Sequence, residues 1–270
     1  MANKHAKIII IPARMAASRL PNKPLAEIAG KPMIQHVWER AMEADLAPVY
    51  VATDDRSIVD VIEHAGGKAV LTRADHPSGS DRVFEAVEKI DPHQQFQHIL
   101  NLQGDLPDMP TEIPHQLAAL LDHKGCDLAT LVTKASAEEA EKSQVVKAVV
   151  SWKDNGFGDA LYFSRANIPT GASDKYHHVG VYGWCRPALA RFVALPPSPL
   201  ELAEKLEQLR ALEAGMNIAV AEIDSAPGGV DTAEIYKLSD SALPPITAVR
   251  LVATRETNTG KTQLDDGGLH

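Results

Sequence analysis

Cysteine is scarce in this sequence: 270 residues hold two, Cys126 and Cys185, far apart and in no metal-ligand spacing. That leaves no basis for a disulfide framework or a cysteine zinc site, and it suits a reducing compartment. Long apolar runs are missing as well. Nothing approaches the ~18 consecutive apolar residues of a membrane-spanning helix. The run Ile8 to Ile11 is too short for a signal-peptide core. The expectation is a soluble, cytoplasmic protein with no membrane span. An excess of positive charge is absent too: the net charge is −9 and the isoelectric point about 5.6. A broadly basic surface is what nucleic-acid and anionic-membrane binding require, so neither partner is expected.

Familiar glycine motifs are also lacking. Gly260-Lys-Thr262 after the apolar Val249 to Ala253 imitates a P-loop, but Arg255 stands where its first glycine belongs. Gly156-Phe-Gly158 has no third glycine and lies in a hairpin-like context, so it is no dinucleotide fingerprint. Eleven histidines invite a metal site, yet His76, His93, His98, His115 and His123 show no i, i+4 pairing with a carboxylate.

What is present is an alternation of strand and helix. The β-branched run Ile8 to Ile11 reads as a strand buried on both faces. Ile34, Val37, Trp38 and Ala41 repeat at helical spacing over about 33–44, Val49 to Thr53 is strand-like, and Asp55 can cap a helix before Gly66-Gly67. Further strands are predicted at Lys68 to Leu71, His98 to Leu102, Asp127 to Thr133 and Ile218 to Ile223, with helices over about 81–90 and 111–122. Such alternation predicts a parallel sheet with helices on both faces. It loosens in the middle, where Val145 to Trp152 and Ala160 to Phe163 suggest a hairpin and His178 to Tyr182 another strand. Leu200, Leu202, Leu206, Leu209 and Leu212 predict one helix of about fifteen residues, closed by Gly215, with Glu207, Gln208 and Arg210 on its polar side.

The loop after the first strand carries Arg14, Ser18, Arg19 and Lys23 between Pro12 and Pro21. Loops at the carboxyl ends of parallel strands are where open α/β sheets bind ligands, and cations gathered there suit a polyphosphate. Gln103-Gly104-Asp105 ends another strand, the glycine allowing a ligand to approach and Asp105 being either a metal ligand or a turn aspartate. Asp231, after Gly228-Gly-Val, is either a second ligand or a helix cap.

Taken together, Ile11-Pro-Ala-Arg14, Ser18-Arg-Leu-Pro21, Gly30-Lys-Pro-Met33, Thr72-Arg-Ala-Asp-His-Pro-Ser-Gly79, Asn101-Leu-Gln-Gly-Asp105, Ala160-Leu-Tyr-Phe-Ser-Arg165, His178-Val-Gly-Val-Tyr182, Lys205-Leu-Glu-Gln-Leu-Arg210 and Gly229-Val-Asp-Thr232 resemble the 3-deoxy-manno-octulosonate (Kdo) cytidylyltransferases, in the family's order. The resemblance implies an α/β fold of the nucleotide-diphospho-sugar transferase type. Its Rossmann-like, mostly parallel sheet would be flanked by helices and carry a smaller inserted α+β dimerisation subdomain at about 136–190. The single domain would span 1–245, with a poorly ordered tail over 246–270. It implies CMP transfer from CTP to Kdo with release of pyrophosphate, in a homodimer that serves lipopolysaccharide synthesis. By the same resemblance Arg14, Ser18, Arg19 and Lys23 cradle the CTP phosphates and Arg73 and Gln103 serve the nucleoside. Asp105 and Asp231 would hold Mg²⁺, and Lys23, Arg14, Asp105 and Asp231 would form the catalytic set. Arg165, His178, Tyr182, Glu207 and Gln208 would form the sugar pocket, with Arg165 or His178 pairing with the Kdo carboxylate. The chain departs from the family pattern at Asn22 (usually glycine), Leu106 (often acidic) and Thr170 (usually tryptophan). Asn22 is expected to adopt a left-handed conformation. The rival readings are a cytidylyltransferase for 8-amino-Kdo or a sialic acid, and a non-catalytic nucleotide-sensing module.

Overall fold

In the computed structural model, described over residues 6–15, 22–123, 125–153 and 156–228, strands and helices alternate through the first half of the chain. In order they are β1 (Lys7–Ala13), β2 (Glu27–Ile28), β3 (Lys31–Pro32), α1 (Met33–Glu43), β4 (Val49–Thr53), α2 (Arg56–His64), β5 (Ala69–Leu71), α3 (Gly79–Ile90), β6 (His98–Asn101) and α4 (Glu112–Leu121). The second half holds β7 (Leu128–Lys134), α5 (Ala137–Glu141), β8 (Lys147–Trp152), β9 (Phe157–Ser164), β10 (Tyr176–Cys185), α6 (Arg186–Val193), α7 (Pro199–Glu204), α8 (Gln208–Glu213) and β11 (Ile218–Glu222).

β1 lies inside the sheet, between β4 and β6, and that position explains its composition. Ile8 to Ile11 have no exposed surface, and they alternate between the two cores. Ile9 and Ile11 pack with α1, α2 and α4, while Ile8 and Ile10 pack with α3, α6 and α8. A strand covered on both faces has no use for a polar side chain. Local signals start the helices as expected: Asp55 accepts the Ser57 N–H at 2.8 Å to cap α2.

The sheet order is β5-β4-β1-β6-β10-β7-β11-β9-β8. β5, β4, β1 and β6 are parallel, as the alternation predicts. β10 then enters antiparallel between β6 and β7, and β9 antiparallel to β11, so the sheet is mixed. Residues 136–190, expected as a small subdomain, place β8, β9 and β10 in this same sheet. The tail expected from 246 and the P-loop imitation lie outside the described residues.

One local expectation needs correcting. The leucine-rich helix over about 200–214 is two short helices, α7 and α8, because Lys205 adopts a left-handed conformation (φ 57°, ψ 48°) that ends the first. Leu200 and Leu202 are consequently exposed, by 37% and 65%, and only Leu206 and Leu209 are buried. The sequence also carried no expectation for α6, whose Arg186 is buried.

Arg186 holds the base of the fold together. Its guanidinium donates to Asp91 Oδ2 and to Glu88 Oε1, both at 2.6 Å, and the Arg186 and Asp91 side chains are each 5% exposed. Burial raises the Asp91 pKa, but the N–H groups of Phe96 and Gln95 and the Arg186 charge outweigh it and hold the carboxyl below its ordinary value. A lowered carboxyl pKa stabilises the fold at pH values above the unfolded value; that stability is lost as pH falls through the folded one. Arg186→Met leaves a buried carboxylate unpaired and is expected to cost about 3–5 kcal/mol by urea unfolding at neutral pH. A cost under about 1 kcal/mol would show that the cluster is hydrated and contributes little.

Candidate active site

Because β1, β4 and β6 are parallel neighbours, the segments that follow them share one edge of the sheet. Arg14 follows β1 and is exposed. Asn22 has φ 56° and ψ 27°, the left-handed conformation expected of it, and leads into the single turn Lys23–Leu25. That turn aims the Lys23 ammonium at Asp105 Oδ2, 2.7 Å away, joining the loops after β1 and β6. Half-buried Gln103 stands between β6 and this contact. Gly104, expected to let a ligand approach, also packs tightly against β1 and α1. A Cβ there would lie 2.8 Å from the Pro12 carbonyl oxygen and 3.3 Å from Ile34 Cδ1.

The loop between β5 and α3 is pinned from below by Glu85, which accepts the Arg73 N–H (3.2 Å to Oε2) and the Lys89 ammonium (2.6 Å) and contacts His76. Burial raises the Glu85 pKa, yet these donors together pull it down to about 2. The Arg73 guanidinium is exposed and pairs with Asp75 at 2.9 Å.

On the face under α3 the structure gathers buried polar groups. Tyr182 OH donates to Gln208 Oε1 at 3.2 Å, Gln208 Nε2 lies 3.5 Å from His178 Nδ1, and His178 Nε2 lies 2.9 Å from Thr130 Oγ1. Burial pushes His178 down to about 3 and Tyr182 well above the usual tyrosine range, so both are neutral at pH 7. Next to Gln208, Glu207 accepts the Ser80 hydroxyl at 3.0 Å, and its Oε2 is sealed from solvent without a partner. Burial pushes the Glu207 carboxyl above its usual range despite the Ser78 and Ser80 hydroxyls. The break at Lys205 is what turns Glu207 and Gln208 inward; on one continuous amphipathic helix they would be surface residues.

Arg165 is held by neighbours of its own. Its N–H and the Ser164 hydroxyl donate to the Glu204 carboxylate at 3.0 and 2.5 Å, and its Nε and Nη1 donate to the carbonyls of Glu204 and Ser143. Lys147, with no exposed surface, donates to the carbonyls of Lys142, Val145 and Arg165 at 2.6–2.9 Å. Sequence reasoning singled out none of Thr130, Lys147 or Glu204. The available signals were a lone lysine in Val145-Val-Lys-Ala-Val149 and a threonine amid the apolar Leu128 to Val132.

The structure therefore brings together Lys23 with Asp105, and His178 with Tyr182 and Gln208. Ser18, Arg19 and Asp231 lie outside the described residues. Residues 8–218 match the cytidylyltransferase family, which sets the class as a nucleotidyltransferase on an α/β sheet. The chain is 52% identical over 237 residues to the 3-deoxy-manno-octulosonate cytidylyltransferase of Parvibaculum lavamentivorans, covering 87% of this chain and 92% of that protein. With the protein of the same name from Rhodopseudomonas palustris it shares 54% over 228 residues, or 84% and 93% of the two chains. A solved CMP:2-keto-3-deoxy-manno-octonic acid synthetase complexed with CTP aligns with a TM-score of 0.81 at 41% identity, covering 87% of this chain and 97% of that one. Apo UDP-glucose pyrophosphorylase, at 16% identity and a TM-score of 0.65, shares the fold. The chain belongs to the 3-deoxy-manno-octulosonate cytidylyltransferase family.

Proposed function

We propose that this protein transfers CMP from CTP to the anomeric hydroxyl of Kdo and releases pyrophosphate. The observation that carries the reading is the 2.7 Å contact between Lys23 and Asp105. It supports the reading because it sets a lysine beside a carboxylate where the loops after two parallel strands meet, the edge at which open α/β sheets bind ligands.

Attack of a hydroxyl on the α-phosphorus brings two electron-rich partners together, so the site must neutralise charge and align the reacting atoms. In this reading Arg14, Ser18, Arg19 and Lys23 hold the phosphates, and Lys23 and Arg14 stabilise the departing pyrophosphate. Arg73 and Gln103 serve the nucleoside. The donor set suits Mg²⁺, which takes one or two carboxylates with phosphate and water oxygens. The Asp105 side chain is 33% exposed, leaving surface open beside the lysine. Asp231 is the second proposed ligand. Three residues before it, the Gly228 N–H donates to Asp108 Oδ2 at 3.3 Å, tethering the chain to the loop after β6. When bound, the ion would supply Lewis-acid polarisation of the α-phosphate.

The sugar pocket of this reading is Arg165, His178, Tyr182, Glu207 and Gln208. Since His178 is neutral, it enters as a hydrogen-bonding group, and the Kdo carboxylate falls to Arg165. Homodimerisation is proposed through β9 and α7, which meet at Ser164 and Glu204 and expose Leu161 by 60% and Leu202 by 65%. A cytoplasmic setting and a role in lipopolysaccharide synthesis belong to the same proposal. No helix among the described residues is long and apolar enough to cross a membrane.

The test is pyrophosphate release from CTP and Mg²⁺ with Kdo, 8-amino-Kdo and a sialic acid in parallel. Kdo is expected to support the highest kcat/KM, and chelation of the metal to abolish turnover. Preference for another acid sugar would move the assignment within the family; release with none of them would refute it.

A further inference from the structure

We propose that Thr130 is a positioning residue that fixes which nitrogen of His178 carries the proton, and thereby sets the orientation of the Gln208 amide in the sugar pocket. The proposal rests on the reading of that pocket given above. Thr130 has no exposed surface and stands on β7 opposite Tyr182. β10 is irregular here: Val179 pairs with Leu131 and Tyr182 with Thr130, so Gly180 and Val181 are bulged out of register. Across this bulge the His178 and Tyr182 rings approach to 5.7 Å between centroids.

The same bulge aims two carbonyl oxygens at the Thr130 hydroxyl, Val181 at 2.8 Å and Val179 at 3.1 Å. Carbonyls only accept, so the single hydroxyl proton goes to them. What the hydroxyl presents to His178 Nε2, 2.9 Å away, is therefore a lone pair, and Nε2 must be the protonated nitrogen. A neutral imidazole has one N–H, so Nδ1 is bare. The group facing a bare nitrogen must be a donor, which turns Gln208 Nε2 toward Nδ1 at 3.5 Å. Gln208 Oε1 is then left to accept from Tyr182 OH at 3.2 Å. The four side chains form one directed chain, running from the Tyr182 hydroxyl to the Val181 carbonyl. Each link fixes the next. Gln208 keeps one N–H and one lone pair for a ligand, in a defined arrangement. With the other tautomer, Nδ1–H would meet the amide N–H, the amide would flip, and donor and acceptor would exchange places before the sugar hydroxyls.

The experiment uses the full chain with ¹⁵N-labelled histidine, the His178 resonances being assigned by their loss in His178→Gln. At pH 7 the His178 shifts are expected to show protonated Nε2 and bare Nδ1. Thr130→Val, nearly isosteric, should mix the tautomers and raise KM for Kdo about ten-fold, with KM for CTP unchanged. Thr130→Ser should restore both readouts. A wild-type spectrum with the proton on Nδ1 overturns the proposal even if Thr130→Val fails to fold. A Thr130→Val protein that keeps the wild-type tautomer overturns it too, as does a Thr130→Ser protein as impaired as the valine variant. Absence of any pyrophosphate release by the wild type would instead refute the functional reading, while the spectra still decide the tautomer.

Discussion

Asp105→Asn is expected to lower turnover about 100-fold or more, equivalent to roughly 3 kcal/mol of lost transition-state stabilisation, with little change in Tm. The two effects separate because of where Asp105 sits. Its carboxylate is 33% exposed and the Lys23 side chain 14% exposed, so water still screens the pair and it contributes on the order of 1 kcal/mol to folding. Asparagine keeps the volume and one acceptor oxygen, so neither packing nor the lysine contact has to collapse. The charge that would neutralise Lys23 and hold a divalent ion is gone. Pyrophosphate release should be measured at limiting and saturating Mg²⁺, because a lost ligand raises the metal requirement first. Near wild-type turnover at limiting Mg²⁺ would remove Asp105 from the site.

Gly104→Ala is the second substitution of large expected effect, and it acts through packing. The added methyl would lie 2.8 Å from the Pro12 oxygen and 3.3 Å from Ile34 Cδ1. The leucine or lysine tip that might swing away elsewhere is not there; the nearest atom is backbone at the end of a strand buried on both faces. Overpacking of this kind costs about 1–3 kcal/mol. Whichever strand end yields carries functional groups with it, Asp105 on one side and the start of the basic loop on the other. A displacement of about 1 Å in such groups is enough to lower turnover by about 10²-fold. Lower Tm together with lower turnover is the expected pair of results. Unchanged Tm and turnover would mean that the two loops slide past each other freely.

Both predictions concern one edge of the sheet, and that edge was legible in the sequence for a physical reason. Ile8 to Ile11 followed by Arg14 and Lys23, and His98 to Leu102 followed by Asp105, are each a buried strand handing a charged loop to solvent. The parallel alternation then places such loops together. The sugar side was legible only through resemblance. By periodicity Glu207 and Gln208 belonged to the polar face of a long helix. The left-handed Lys205 breaks that helix, and Gln208 ends 3% exposed against His178 and Tyr182. The packing of Gly104 against Pro12 was not legible either, since it joins residues distant in the chain. Lys147 and Thr130 are strand residues as expected, but each also donates to a carbonyl distant in the chain, Arg165 for the lysine and Val181 for the threonine.

From local sequence alone came the alternation of strand and helix in the first half of the chain, the Asp55 cap, the left-handed Asn22 and the charged loops at the strand ends. Each of these depends on neighbours within a few residues, through side-chain periodicity, backbone conformation and capping. The antiparallel entry of β10, the bulge at Gly180 and Val181, and the partners of Thr130, His178 and Gln208 arise from long-range assembly. A buried polar group takes whichever partner the fold brings to it, and residues 130, 178 and 208 become neighbours only when the sheet is assembled.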